Sequence, residues 1–268
     1  MLKIEHVSAS SLESYVSCPY RYYLKYIKNL GRHVSPTYHM LFGIMIHKIM
    51  EDFHKYVANT GLPEDSFELA RDLYAKIHQL TMLNIAQARN QNPNAMIKLG
   101  FTDEYIFKTY IYPYYDYFIT NQLYTKRIET EKKFDITIGE LAQSFPKEKL
   151  HEQYEKYKHV IVNGKIDLII YPNLIIDFKT QSSASKIKEL RKSFQTQIYT
   201  ILFDKDMIFQ YVYLYNKLRI ITLEIKKENR LNVLNNLIDL IYKLETTTKF
   251  NRNPKACYMC LFKKFCWG

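Results

Sequence analysis

Glycine is scarce in this chain, with seven residues in 268 and none in a G-x-x-x-x-G-K-[ST] run. A phosphate-cradling ATP loop of the Walker type is therefore not expected. No apolar stretch approaches the ~20 residues that a bilayer-spanning helix needs. The opening MLKIEHVSAS has no apolar core of a secretory signal. A soluble, cytoplasmic protein without a membrane partner is expected. Cysteine is limited to four residues, and disulfides are not expected of an intracellular chain. Internal repeats and low-complexity tracts are missing as well. Negative charge is in deficit: 27 Asp and Glu face 38 Lys and Arg, for a net charge of +11 and a pI near 9.2. Such a balance points to a polyanionic partner, nucleic acid first and an anionic membrane second, although a plain solvated basic surface gives the same sum.

Apolar residues make up 47% of the chain, enough for a packed core. Among the 24 tyrosines some could stack on unpaired bases. Residues 8–30 read as a helix started by a capping box of Ser10 with Glu13. Its apolar stripe is Leu12, Tyr15, Val16, Tyr20, Tyr23 and Leu24, and Pro19 kinks it or opens a second segment. A second helix over 39–58 turns Leu41, Ile44, Met45, Ile49 and Phe53 to one side. The stretch 64–128 has helical periodicity broken at Pro93 and Pro113, and carries no motif tied to chemistry. From about residue 130 the period falls to two, with short strands at 134–138, 159–162, 165–171 and 174–178. Gly164 separates the second from the third, and Pro172-Asn173 turns into the fourth. A helix at 185–204, strands at 208–215 and 218–225 and a helix at 227–246 complete an α/β core with a central mixed sheet.

The densest chemistry lies at Gly164-Lys-Ile-Asp167 and Asp177-Phe-Lys179, with nine residues between the two Asp. Asp177 and Lys179 leave one face of a strand, and the hairpin could set Asp167 beside Asp177. Two close carboxylates repel unless a cation lies between them, and oxygen ligands suit Mg²⁺ or Mn²⁺. Such an ion can polarise a phosphodiester and acidify water, while Lys179 can orient that water or stabilise transition-state charge. An isolated D-x-K would be an ion pair at a hairpin end. Three further features argue for more. Gln195 and Tyr199 share a helix face, where they could hold a phosphate or the water. His47 interrupts an apolar run, either as a core histidine or as a nitrogen ligand. Cys18 and the run Cys257-x2-Cys260-x5-Cys266 could gather four thiolates; on chemistry alone, zinc and an iron–sulfur cluster are equally open.

Ser10–Tyr26 with Cys18-Pro19-Tyr20-Arg21, Gly43-x3-His47, Gly164-x-Ile-Asp167, Ile176-Asp177-Phe178-Lys179-Thr180 and Gln195-x3-Tyr199 follow in an order that resembles the PD-(D/E)XK nuclease superfamily. The likeness is to its RecB-like branch, with AddB nuclease domains and CRISPR-associated RecB-like exonucleases. Ile166, where the motif has Pro, is a departure, and 55–128 is not covered. The resemblance implies a restriction-endonuclease-like core with a helical insert and iron–sulfur-stapled ends. It makes His47, Asp167, Asp177 and the Phe178 carbonyl ligands of Mg²⁺ or Mn²⁺, Lys179 the catalytic lysine, and Gln195 and Tyr199 the Q-x-x-x-Y motif. Glu131 matches a family glutamate of unassigned duty. Cys18, Cys257, Cys260 and Cys266 would hold a [4Fe–4S] cluster, with zinc the alternative.

The organisation expected is 1–54 as N-terminal helices, 55–128 as insert, 129–250 as nuclease core and 251–268 as cluster segment, in one integrated domain. Arg21, Lys25, Arg191, Lys192, Lys263 and Lys264 are candidates for DNA contact. The function expected is an exonuclease on single-stranded DNA or DNA ends, in DNA repair or a CRISPR-associated role, with a helicase or other DNA-processing protein as partner. The cell would be bacterial or archaeal, or the host of a virus. The alternative is a DNA-binding, end-processing or spacer-acquisition module in which cleavage is secondary.

Overall fold

The computed structural model describes residues 2–60, 66–94, 98, 100–181, 183–215, 217–257 and 260–267. Strand β1 (His6–Ser8) leads straight into helix α1 (Ala9–Ser17). Ser8, rather than Ser10, caps that helix: its hydroxyl accepts from the Ser11 N–H, and the Ser11 hydroxyl accepts from the Ser8 N–H in return. Pro19 starts a new short helix, α2 (Pro19–Tyr22), at the position where its missing N–H costs nothing. Val16, expected on the buried stripe, is 56% exposed.

Helix α3 (Tyr38–Asn59) is capped by the Thr37 hydroxyl, which accepts from Met40 N. It buries Phe42, Met45, Ile46, Ile49, Met50, Phe53 and Val57, the three-and-four spacing of one helical stripe. Each such side chain contributes roughly 1.5–3 kcal/mol as an upper bound. Ile44, expected on the same stripe, is instead 61% exposed. Helices α4 (Ser66–Gln91), α5 (Asp103–Ile106) and α6 (Tyr112–Thr120) follow, with Pro113 in the first turn of the last. Pro93 falls just past α4 in a stretch only partly described.

Among the described residues the sheet has six strands. Strands β2 (Ile128–Thr137) and β3 (Ile161–Ile170) pair antiparallel along their length, and β4 (Leu174–Lys179) joins β3 antiparallel. Strands β5 (Met207–Tyr215) and β6 (Lys217–Ile225) form a hairpin, with β5 parallel to β4 and β1 parallel to β3. The expected break at Gly164 does not occur, and β3 runs through it. A Cβ at Gly164 would stand 2.5 Å from the Phe134 ring tip, so this glycine serves close cross-strand packing rather than a turn.

Two cores flank the sheet. One packs α1 and the helices α10 (Phe194–Leu202) and α11 (Arg230–Thr246) on it; the other packs α3, α4 and α6. The 55–128 segment thus roofs the second face. The helix expected over 185–204 is two: α9 (Ile187–Lys192) ends at Ser193, whose extended backbone and hydroxyl cap α10 through Thr196 N. Serine favours this role over a helix interior.

Candidate active site

Strand β3 forks. Along one edge β1 pairs with Ile161–Asn163 and β4 with Leu168–Ile170, so among the described residues no strand covers that edge at 164–167. Continuing the β3–β4 register by one residue sets Asp167 opposite Asp177. There the strands part: the Phe178 N–H donates to the Asp167 carboxylate at 2.9 Å. The Tyr199 hydroxyl, from α10, donates to the Lys165 carbonyl at 3.2 Å. The gap is thereby lined by side chains where a ladder would otherwise run.

His47 of α3 reaches into this gap, with Nδ1 at 3.4 Å from Asp167 Oδ2. Lys179 Nζ stands 2.7 Å from Asp177 Oδ2 and donates to Gln195 Oε1 at 3.1 Å. Gln195 Nε2 donates to Asp177 Oδ1 and, at 3.2 Å, to the Tyr199 hydroxyl. The Lys179 ammonium lies 5.4 Å from the centre of the Tyr211 ring, whose hydroxyl meets Ser193 Oγ at 2.8 Å and Thr196 Oγ1 at 2.9 Å. His47, Asp167, Asp177, Lys179, Gln195 and Tyr199, expected from sequence to act together, are therefore neighbours.

The electrostatics separate the two carboxylates. Burial pushes the Asp177 carboxyl up and nearby Asp167 adds to this, against Lys179. Burial also opposes the charge of Asp167, but His47 and the Phe178 N–H outweigh it and hold its carboxyl below the usual range. Burial opposes the charged imidazole of His47 too, and the Asp167 carboxylate raises its pKa in spite of that. Lys179 is likewise desolvated yet held above its ordinary value by Asp177. Burial, then Asp177, push the Tyr199 hydroxyl far up, so it stays protonated.

Asp177 is 3% exposed, and its Oδ2 has no hydrogen-bond donor of acceptable angle. The contact with Lys179 at 2.7 Å is thus Coulombic rather than directional. The ammonium is the partner of this buried oxygen, and a divalent cation would suit the same buried negative charge. Two carboxylates and an imidazole fit such an ion in chemistry. As folded, Asp177 turns its oxygens to Gln195 and Lys179, and among the described residues no three His, Cys, Asp or Glu side chains stand close enough to hold a metal. The same count applies to the cysteines. Cys18, Cys257, Cys260 and Cys266 line one small cavity with Arg252 at its side, and all four are free of disulfides. Burial raises the pKa of Cys266, partly offset by Arg252, and the three other thiols add to the rise.

The basic candidates divide. Arg21 turns inward, donating through Nε to Ser14 Oγ at 3.2 Å, and lines the cysteine cavity with Lys263. Lys25 lies over the Tyr26 ring at 4.9 Å. Lys264 is exposed beside Lys263, and Arg191 and Lys192 are exposed on α9. The chain ends do meet: Tyr20 N–H donates to the Asn251 carbonyl at 3.1 Å and Asn253 Nδ2 to the Ser17 carbonyl at 2.8 Å.

Sequence reasoning missed His54 and Thr130, and named Glu131 without a duty. His54, two turns after His47 on α3, is fully buried; its Nδ1 donates to Met50 O at 2.6 Å and its Nε2 accepts from Tyr114 at 2.9 Å. Its ring stacks on Phe178 at 5.8 Å, backing the segment that carries Asp177. Thr130 Oγ1 donates to the Asp167 carbonyl at 3.0 Å. Glu131, with the left-handed φ of 54°, sits opposite Asp167 and pairs with Lys165. The i, i+7 spacing of His47 and His54 was the one readable signal.

A buried carboxylate pair with an adjoining lysine, at a fork in a mixed sheet, is the equipment of a metal-assisted hydrolase. A family model of the PD-(D/E)XK nuclease superfamily matches residues 6–267, and the chain belongs to that superfamily. It is accordingly a metal-dependent nuclease, of a superfamily that uses divalent ions such as Mg²⁺ or Mn²⁺. A solved structure titled "Crystal structure of SSO0001" is 17% identical, with 100% of this chain and 88% of that one covered and a TM-score of 0.39. Comparison with curated proteins gave no match. No helix among the described residues is long and apolar enough to cross a membrane.

Proposed function

We propose that the chain is a deoxyribonuclease of the RecB-like branch, acting as an exonuclease on single-stranded DNA or DNA ends. The observation that carries this reading is the meeting of His47, Asp167, Asp177, Lys179, Gln195 and Tyr199 where β3 and β4 part. His47, Asp167, Asp177 and the Phe178 carbonyl would hold Mg²⁺ or Mn²⁺, which supplies Lewis-acid polarisation of the scissile phosphate. Lys179 stabilises charge on the phosphoryl oxygens as it develops. Gln195 fixes the Asp177 carboxylate, and Tyr199 fixes Gln195 and the β3 edge. The excess of basic residues supports a polyanionic substrate.

The four cysteines hold a [4Fe–4S] cluster in this reading, with zinc as the alternative, and their common cavity supports a four-thiolate site. The nuclease core at 129–250 works as one unit with the N-terminal helices, the 55–128 roof and the cysteine segment, in the cytoplasm. Unwinding would come from a partner helicase, since the chain has no Walker loop.

The test is cleavage of end-labelled single-stranded and duplex DNA with Mg²⁺ or Mn²⁺, on protein purified without oxygen, beside Lys179→Ala. Degradation by the wild type and not by the variant supports the reading, and the position of the label gives the polarity. Equal activity of both would overturn the site. Binding without cleavage in both metals would point to an end-processing or spacer-acquisition module. Iron and zinc content of the same sample decides the cysteine site.

A further inference from the structure

A cavity of about 910 Å³ opens from the carboxylate gap, with His47, Asp167 and Glu131 at one end and a hydrophobic wall at the other. That volume lies within the ~300–1,000 Å³ typical of ligand pockets. The wall is built by Phe42, Phe101, Tyr110 and Tyr215, packed ring against ring at 4.8–6.2 Å; Phe42 and Tyr110 are buried behind the half-buried Phe101 and Tyr215, which supply its surface. Across from it, Met40 and Ile44 of α3 line the cavity, although 45% and 61% of their surfaces face solvent. Met40 and Ile44, four residues apart on one helix face, give the cavity an exposed apolar edge.

Charge narrows the occupant. The two lysines of the lining are both engaged: Lys48 with Asp52 at 2.8 Å and Glu51 at 3.4 Å, and Lys165 with Glu131. The lining also holds the carboxylates Glu51, Glu131 and Asp167. With both lysines engaged, the aromatic side offers no free lysine to a phosphate or an acidic peptide, and it therefore suits a flat, uncharged group. That end is continuous with the phosphodiester-cleaving gap through His47 and Asp167.

We infer that the cavity lined by Met40, Ile44 and the Phe42–Phe101–Tyr110–Tyr215 cluster receives an unpaired nucleobase of the strand whose phosphate lies at Asp167 and Asp177. The inference rests on the proposed nuclease reading and gives that site a substrate preference. A base already stacked and paired in a duplex cannot enter, so the pocket selects single strands or frayed ends. Met40 and Ile44 cover one face of the base.

The test compares equilibrium binding, by fluorescence anisotropy in Mn²⁺, of oligothymidylate and of the same length carrying abasic residues. It uses Lys179→Ala protein, with and without the added pair Met40→Ala and Ile44→Ala. Loss of the base should weaken binding about tenfold or more, the usual size of a base-stacking contact. In the double alanine protein that difference should vanish, while thermal unfolding stays unchanged because both side chains are exposed. Equal affinity for both oligonucleotides, or a difference that persists in the alanine protein, overturns the pocket. This result is independent of cleavage. If the wild type cuts DNA but no base dependence is found, the nuclease reading stands and the pocket falls. If base dependence is found but the wild type cuts nothing, the pocket stands and the nuclease reading falls.

Discussion

Asp177 stands on a strand whose ladder with β5 continues through Lys179, whereas Cys257 and Cys266 stand at a 3-10 turn and a five-residue helix at the chain end. The carboxylate centre is held by its surroundings: Phe178, Gln195, Tyr199 and Thr130 each fix a neighbour by a hydrogen bond. The cysteine cavity is held by two hydrogen bonds between chain ends and by Arg252, which lies 5.0 Å from the centres of both the Tyr20 and Trp267 rings. Rigid scaffolding of this kind lets a centre keep its geometry before its ion arrives. The cysteine end has few such supports, so what it binds should matter more to its order than to the order of the sheet.

The sharpest way to break this contrast is to damage the first centre and look for damage to the fold. Lys179→Ala should lower the cleavage rate about 10²–10³-fold or more, while the urea midpoint moves little. A large fall in stability would mean that the centre is not independently scaffolded. Next in size, on the four-thiolate reading proposed above, Cys18→Ser should lower unfolding stability by about 5 kcal/mol, the loop-closure entropy of joining ends so far apart. Limited proteolysis should then release the segment after 250 first, with Mn²⁺ binding at the sheet retained. Loss of Mn²⁺ binding in that variant would merge the two regions into one.

His54 probes the scaffold itself through pH. Burial holds its pKa at about 4 against an ordinary 6.5, with Met50 and Asp167 pulling the other way. The unfolded chain takes up a proton below pH 6.5 and the folded chain does not. Its contribution is therefore complete above pH 6.5 and falls by about 3 kcal/mol towards pH 4. Urea titrations at pH 7 and pH 4.5 should show a smaller acid loss in His54→Phe than in the wild type, and equal losses would refute the assignment. The smallest effect is expected at Arg252→Ala, about 1 kcal/mol from two exposed cation–π contacts, read as a modest drop in Tm.

Much of the centre was legible because period-two patterning puts Asp177 and Lys179 on one face and helical spacing does the same for Gln195 and Tyr199. Most strand limits agreed within a few residues. The failures have physical reasons. Gly164 looked like a break because glycine usually marks one, but here it makes room for the Phe134 ring. Ser193 looked like a helix interior because its capping hydroxyl acts through a bond that no periodicity reveals. The pairing of β1 with Ile161 spans most of the chain, and three residues carry too little pattern to announce it. Ile44 matched the apolar stripe by type and faces the cavity instead.

The fork in β3 also sets a timetable for synthesis. His6–Ser8 leave the ribosome long before Ile161–Asn163, their parallel partners. At 5–20 residues per second, that wait is roughly 8–30 s. Gln195, which fixes Asp177, comes later still, and Cys266 later again. A nascent chain thus carries its first strand unpaired until Ile161–Asn163 are made, and Cys18 as a lone thiol until Cys257 is made. The cutting centre forms only once Gln195 and Tyr199 have been made, so products of translation interrupted before them should be inert.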